Sequence, residues 1–355
     1  VTRLSRPVAS FEQPVTLPPG SAQTVTFPWV TPGDDFSGYG IEVGLWVDGA
    51  LRDTRSSAAD VSSDWTKFPR YGFFSSFFEG EDAEELAGEL AKFHINAVQF
   101  YDWKWTHDWL VPYWEGEPAD IYTQPDGRVQ SFETVKAKVA AAQSRNMAAM
   151  SYTLMYGDSG NDEAPEHIEW AAFEEPFTTD PEDIRVHEPV YTIWVMDISN
   201  PDWKSHIIGQ FHDAIDQAGF DGIHLDNLGG AWNYPYDSDT AIPEAEAFPQ
   251  FINEARASLR AVYPDVRVAH NDVAENYRDA IAGSDADIYY TEVWGRQTYQ
   301  EIRDGILEAK AAGGGKAVVL AAYINRKSWD EMSDPTAPPV PTYINDASAR
   351  LMAAT

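Results

Sequence analysis

Residues 203–226 read WKSHIIGQFHDAIDQAGFDGIHLD, and this stretch decides the fold. Over 203–218 apolar residues recur at helical spacing with charged and polar residues between them, and over 221–226 a short apolar run ends on a carboxylate. A helix with one apolar face followed at once by a short strand is the repeating unit of a parallel α/β sheet or barrel. The same rhythm runs in both directions. Strands are expected at 71–77, 97–103, 148–155, 193–198, 266–271, 287–294 and 318–325, and amphipathic helices at 83–93, 132–145, 245–262 and 299–312. Both an open parallel sheet and a (β/α)8 TIM-type barrel over residues 65–355 fit this rhythm. The last segment, 345–355, reads as a helix with no stop signal, so the barrel is expected to be incomplete before its final strand.

Residues 1–64 read differently. Ile41, Val43, Leu45 and Val47 alternate before an Asp48-Gly49 turn, and Pro18-Pro19-Gly20 and Pro32-Gly33 punctuate what would be earlier strands. Alternation of this kind marks half-buried β structure, here expected to be part of a small β-sandwich.

The 57 acidic against 25 basic residues give a formal charge of −32. That charge repels a phosphate backbone or an anionic lipid surface, so neither nucleic acid nor membrane is an expected partner, whereas a neutral polysaccharide meets no such penalty. A merely soluble or salt-adapted surface accounts for the charge equally well. There is no cysteine, which removes disulfides and zinc-thiolate sites. No apolar run has the length of a membrane span, the start at Val1 fits a processed or trimmed exported protein, and the strong negative charge fits a monomer.

In a parallel barrel the reacting groups stand at the carboxyl ends of the strands. Those positions hold Asp102 with Trp103 and Trp105, Tyr152 with Tyr156, Asp197, His224 with Asp226 and Asn227, His270 with Asn271, Glu292 with Trp294, and Asn325. Carboxylates among Trp and Tyr suit a sugar: pyranose rings stack on aromatic faces, and hydroxyls need acceptors and amides. Glycoside cleavage needs one carboxylate as nucleophile or base and a second as acid, and Asp226 and Glu292 are the best pair. The alternative is that one of the two is a structural ion-pair partner. Trp103, Trp105, Trp109, Tyr113 and Trp114 form either a wall of sugar subsites or packing beneath a long loop. The Gly313-Gly314-Gly315-Lys316 stretch follows a helix and precedes a strand, the reverse of a phosphate loop. No His-Glu-x-x-His or Gly-x-Ser-x-Gly motif occurs, so no metal, cofactor or serine nucleophile is expected.

Five blocks in order resemble one family: YGFFS at 71–75, HINAVQFYDW at 94–103, FDGIHLD at 220–226, YTEVWG at 290–295 and LAAYIN at 320–325. They are similar to glycoside hydrolase family 66, which holds endo-dextranases and cycloisomaltooligosaccharide glucanotransferases. The resemblance implies a retaining endo-mechanism on α-1,6-glucan, in a barrel preceded by an immunoglobulin-like β domain. It implies Asp226 as nucleophile, Glu292 as acid/base and Asp102 in the donor-sugar subsite, with Tyr156, Asp197, His224 and Trp294 lining the cleft. Trp103, Trp105, Tyr152, Asn271 and Asn325 complete the expected substrate contacts. The family carries its nucleophile on the fourth strand, so 193–198 is expected to be an extra segment outside the barrel sheet. The short Pro-rich stretch at 326–341, where the transferases carry an inserted module, favours hydrolysis of dextran to linear isomalto-oligosaccharides. The cyclising transferase is the alternative, and a non-catalytic α-glucan-binding protein on the same scaffold is a third reading.

Overall fold

The computed structural model describes residues 1–159, 164–187, 191–227, 229, 233–293 and 298–322. Its contacts divide the chain into two units, Val1–Lys67 and Phe68–Thr355.

The first unit is built on a long hairpin, Ser37–Val47 with Ala50–Val61, to whose edge Thr2–Arg3 and Arg6–Pro7 add. Asp48 and Gly49 turn it, both at positive φ (52° and 76°), the left-handed pair that matches the twist of a two-residue hairpin. A second, facing sheet, which would complete the expected β-sandwich, is not among the described residues of this unit. The described residues of this unit carry one four-stranded antiparallel sheet, and between residues 8 and 36 there is no strand. Five prolines in that stretch remove backbone donors that a ladder would need.

The second unit holds seven parallel strands: β1 (Tyr71–Phe74), β2 (Ala97–Phe100), β3 (Ala148–Leu154), β4 (Gly222–Asp226), β5 (Arg267–Val273), β6 (Ile288–Val293) and β7 (Ala317–Ala322). They lie side by side in chain order and every neighbouring pair is parallel. The crossover helices are α1 (Ala83–Lys92), α2 (Phe132–Gln143), α3 (Pro201–Ala218), α4 (Glu244–Val262), α5 (Arg278–Ala282) and α6 (Tyr299–Ala312). A doubly wound sheet reverses its strand order at a switch point; unbroken order is the winding of a barrel. Curvature is visible directly. The rings of Tyr71 on β1 and Tyr290 on β6 stand 5.9 Å apart, although five strand spacings of ~4.8 Å would separate them in a flat sheet.

The segment 193–198 is indeed outside this sheet. Its strand Ile193–Val195 pairs antiparallel with Gly157–Asp158 and Val186–His187 in a small separate sheet between β3 and α3, which makes Gly222–Asp226 the fourth strand.

Helix α3 shows why the opening stretch folds as it does. Asn200 caps it by accepting from the N–H groups of Asp202 and Trp203, Pro201 opens it, and Gly219 ends it at φ 80°. Trp203, Ile207, Phe211, Ala214, Ile215 and Ala218 make the buried stripe, each large member contributing about 1.5–3 kcal/mol by leaving water. The chain then enters β4 at Gly222, where a Cβ would stand 2.2 Å from the Arg267 carbonyl oxygen and 2.7 Å from Met150 Cε. Gly222→Ala is therefore expected to destabilise by about 3 kcal/mol, the upper end for overpacking, because a backbone carbonyl cannot step aside as a side chain can. Urea denaturation reads this, and an unchanged midpoint would mean that β4 has room to shift against β5.

Candidate active site

The carboxyl ends of β4, β5 and β6 bring three side chains together. Asp226 is the last residue of β4, Asn271 lies on β5, and Glu292 lies on β6 paired with Val273. Asn271 Nδ2 donates to Asp226 Oδ1 at 2.7 Å and to Glu292 Oε1 at 3.1 Å, so a single amide nitrogen joins both carboxyls. Asp226 Oδ1 also accepts from the Asn227 N–H at 2.9 Å, and Tyr152 Oη donates to Oδ2 at 2.6 Å. Asn227 Nδ2 in turn donates to the Asn271 carbonyl at 2.6 Å, which ties the ends of β4 and β5 to each other.

Burial dominates the electrostatics. It raises the Asp226 carboxyl to about 7, with the nearby charge of Glu292 pushing in the same direction, while the bonds from Tyr152, Asn271 and Asn227 pull the other way. Beneath them His224 is buried with Nδ1 3.0 Å from Tyr71 Oη and its ring 4.9 Å from that of Tyr290. Desolvation lowers its pKa to about 3, so the ring is a neutral wall of the site at ordinary pH. His270 is lowered to about 3 as well, by burial and then by His224. It faces the helix layer, with Phe248 as ring neighbour, rather than the carboxyls.

Asp102 follows β2 at φ 53°, with Lys104 Nζ at 2.7 Å and Arg128 Nη2 at 3.2 Å. Burial raises its carboxyl, but the charge and hydrogen bond of Lys104, followed by His107 and Arg128, outweigh that and hold it below the usual range. Tyr101 lies between this group and the pair: its ring is 4.6 Å from Tyr152, and burial, then the charges of Asp102, Asp226 and Glu292, raise its phenol.

The structure thus gathers Asp226, Glu292, Asn271, Tyr152 and His224, with Asp102 beyond Tyr101. Others on the expected list stand elsewhere. Trp103 is a core residue: it packs on Phe132 and Phe220, its Nε1 donates to Ser151 Oγ at 3.0 Å, and no face is left for a sugar. Tyr156 is buried against Phe248, and Asp197 is spent on a local turn, accepting from the N–H and Oγ of Ser199 ahead of α3. Trp105, Trp109, Tyr113 and Trp114 are partly exposed, so the aromatic group divides into one core member and four surface ones. Trp294 and Asn325 lie outside the described residues, as does 345–355.

Reading strand ends did not find Tyr71, Tyr290, Tyr101, Lys104 or Arg128. Tyr71 and Tyr290 begin or sit within apolar runs, and only curvature turns them inward. Lys104, two residues after Asp102 and buried in a chain so acidic, was the available signal. Among the described residues no three His, Asp or Glu side chains converge as metal ligands.

Residues 1–355 match the description of glycosyl hydrolase family 66. The chain is 33% identical over 346 residues to a cycloisomaltooligosaccharide glucanotransferase of Niallia circulans, covering 92% of this chain and 34% of the relative. It is 26% identical over 351 residues to a dextranase of Streptococcus salivarius, covering 86% of this chain and 40% of the relative. The chain thus spans little more than a third of these proteins. A crystal structure of a Paenibacillus sp. cycloisomaltooligosaccharide glucanotransferase complexed with cycloisomaltoheptaose superposes with TM-score 0.76 at 33% identity, over 84% of this chain and 44% of that one.

Proposed function

The chain belongs to glycosyl hydrolase family 66, and from that premise we propose that it is the catalytic part of a retaining, endo-acting enzyme that cleaves internal α-1,6 bonds of dextran. The observation that carries this reading is the shared amide of Asn271. Its distances of 2.7 and 3.1 Å mean that Asp226 Oδ1 and Glu292 Oε1 stand no further apart than the sum of the two. A retaining pair needs about 5–5.5 Å between its carboxyls; an inverting pair needs roughly 6.5–9.5 Å, to admit water between base and sugar.

Asp226 is the nucleophile in this scheme. Oδ1 accepts two hydrogen bonds and Oδ2 one, so Oδ2 keeps the more open lone pair. It attacks the anomeric carbon while Glu292 gives its proton to the departing 6-oxygen, leaving a glucosyl ester on Asp226. Glu292, now ionised, takes a proton from water, the hydroxide oxygen bonds to the anomeric carbon, and Asp226 leaves. Such a polymer is met outside the cell, which makes export part of the same proposal.

A second reading has a specific support, the 33% identity to proteins named as cyclising transferases. The two readings differ only in the last step, where the 6-hydroxyl at the other end of the same glucan replaces water. Incubating the full-length protein with dextran, amylose and pullulan, and following reducing ends and product masses, separates them. Linear isomalto-oligosaccharides from dextran alone are expected. Masses short by one water would move the assignment to the transferase, and no new product from any polymer would leave only a glucan-binding protein.

A further inference from the structure

Asp102 and Asp226 follow different strands, and one side chain reaches the surroundings of both. Lys104 is 2% exposed, in a chain where acids outnumber bases 57 to 25. A lysine is almost never sealed from water unless it is paired, because an ammonium gives up a large hydration energy on burial. Its Nζ lies 2.7 Å from Asp102 Oδ1 and sits over the face of Tyr152, 5.1 Å from the ring centroid. Tyr152 in turn donates from Oη to Asp226 Oδ2 at 2.6 Å. One chain of contacts therefore runs from Asp102 through Lys104 and Tyr152 to Asp226.

Pairing with Asp102 alone does not account for the buried ammonium. Arg128 Nη2 meets Asp102 Oδ2 at 3.2 Å, so that carboxylate has a second counter-ion on its other oxygen. The backbone around Lys104 is fixed as well. Buried Gln124 donates from Nε2 to the carbonyls of Asp102 and Lys104, at 2.7 and 2.6 Å, and Gln130 holds Gln124 by donating to its Oε1 at 2.9 Å. The lysine is thus held in place from both sides of Trp103.

The contact with Tyr152 has a chemical consequence. A cation within about 6 Å of an aromatic centroid is drawn to the negative face of the ring, and its charge makes a phenol O–H a stronger donor. Burial, then Asp226, Tyr101 and Asp102, raise the Tyr152 phenol, so it stays protonated and acts as donor to Asp226 Oδ2. Of the three bonds that pull the Asp226 pKa down, the one from Tyr152 comes first. The other titratable groups near Asp226 do not help: Glu292 raises it, and His224, enclosed by Tyr71 and Tyr290, is neutral. On the Lys104 side His107 is neutral too, its pKa lowered by burial and then by Lys104, and Tyr101 has its phenol raised. Of these groups only Lys104 brings positive charge to the face of Tyr152.

We propose that Lys104 is a positioning residue for the reaction: it acts through Tyr152, keeping the phenol a strong donor to Asp226 Oδ2 and so favouring the ionised, attacking form of the nucleophile. The proposal rests on the assignment of Asp226 as the nucleophile of an α-glucan hydrolase. It makes the charge state of that nucleophile depend on a residue two contacts away.

The test is the pH dependence of kcat/KM for dextran in the full-length protein. Its acid limb reports the ionisation of Asp226 in the free enzyme, since the substrate carries no charge. Lys104→Gln, which keeps a donor for Asp102 but no charge, is expected to move that limb upward by about half a unit or more, a roughly threefold or greater loss of acidity at Asp226. Lys104→Met serves the same purpose should the Gln variant not fold. Lys104→Arg restores the charge and is expected to return the limb to its wild-type place. In a Tyr152→Phe background the shift caused by Lys104→Gln is expected to fall by more than half, because the hydroxyl that carries it is gone. Three results would overturn the proposal: an uncharged variant whose limb stays at the wild-type pH, whatever its plateau; a Lys104→Arg limb displaced as far as that of Lys104→Gln; or a shift that falls by less than half without the Tyr152 hydroxyl. Any of these, with a wild type that cleaves dextran, sinks this proposal alone. No cleavage of dextran by the wild type would overturn the nucleophile assignment and this inference with it.

Discussion

Replacing Asp226 by Asn is expected to abolish turnover and, at the same time, to make the protein more stable at neutral and alkaline pH. An amide has no lone pair fit to attack the anomeric carbon, so the loss in kcat is expected to be at least about 10⁴-fold. The stability effect follows from burial. The folded-state pKa of about 7 lies above the ~3.9 of an unfolded aspartate. A pKa raised by folding favours the fold when the group is protonated, and that advantage is lost as pH rises from about 4 through about 7. Above pH 7 the ionised carboxylate costs up to about 4 kcal/mol, and an uncharged Asn escapes most of it. The site suits an amide, because Tyr152 and Asn271 can reorient to satisfy its oxygen and nitrogen. Thermal melts of both proteins from pH 4 to pH 8 should coincide at the acid end and separate by several degrees at the alkaline end, with the variant higher. A variant that is less stable at pH 8 would mean that Asp226 is a structural anchor, the alternative its strand-end position leaves open.

Asn271→Ala is expected to give the second largest effect, through pH. Its Nδ2 bond is one of three that hold the Asp226 pKa down against burial, so removing it raises that pKa further above 7. The nucleophile must be ionised, which places the acid limb of kcat/KM in the wild type near pH 7 and moves it upward in the variant. A hydrogen bond to a charged group contributes about 1.5–3 kcal/mol. A shift of the limb by about one unit is therefore expected, together with a plateau some 10²-fold lower, because Glu292 also loses its tether. A lower plateau with the acid limb unmoved would make Asn271 a packing residue rather than one that positions the carboxyls.

Much of this was legible in the linear chain. All seven strands and the five longer helices follow from local pattern alone, because a strand end and a helix face are local statements. Asp226, Asn271 and Glu292 were found the same way: each is a polar residue at or near the end of an apolar run, and a barrel places such ends on one face. Helix α5 was missed because five residues make too few turns to show a period. The expectation of part of a sandwich rests on alternation and on proline-marked breaks, and residues 8–36, where those breaks fall, hold no strand.

The aromatic residues show where local reading stops. Trp103 and Trp105 are two positions apart in one polar, irregular stretch, yet one is sealed between Phe132 and Phe220 while the other meets solvent. Nothing in composition distinguishes them, because burial depends on elements far away in the chain. The same holds for Tyr156, whose ring partner Phe248 belongs to α4.

By itself the sequence determined that alternating strands and helices would wind a parallel sheet, and which acids would stand at its open end, since both depend on the spacing of apolar residues along a few turns. Only the tertiary structure decided which groups meet. Curvature brings Tyr71 to His224 and Tyr290, and the parallel register of β4, β5 and β6 sets one amide between two carboxyls. The physical reason is that a pKa, a shared hydrogen bond and a buried ion pair are properties of distance and desolvation, and those exist only after the strands have closed on one another.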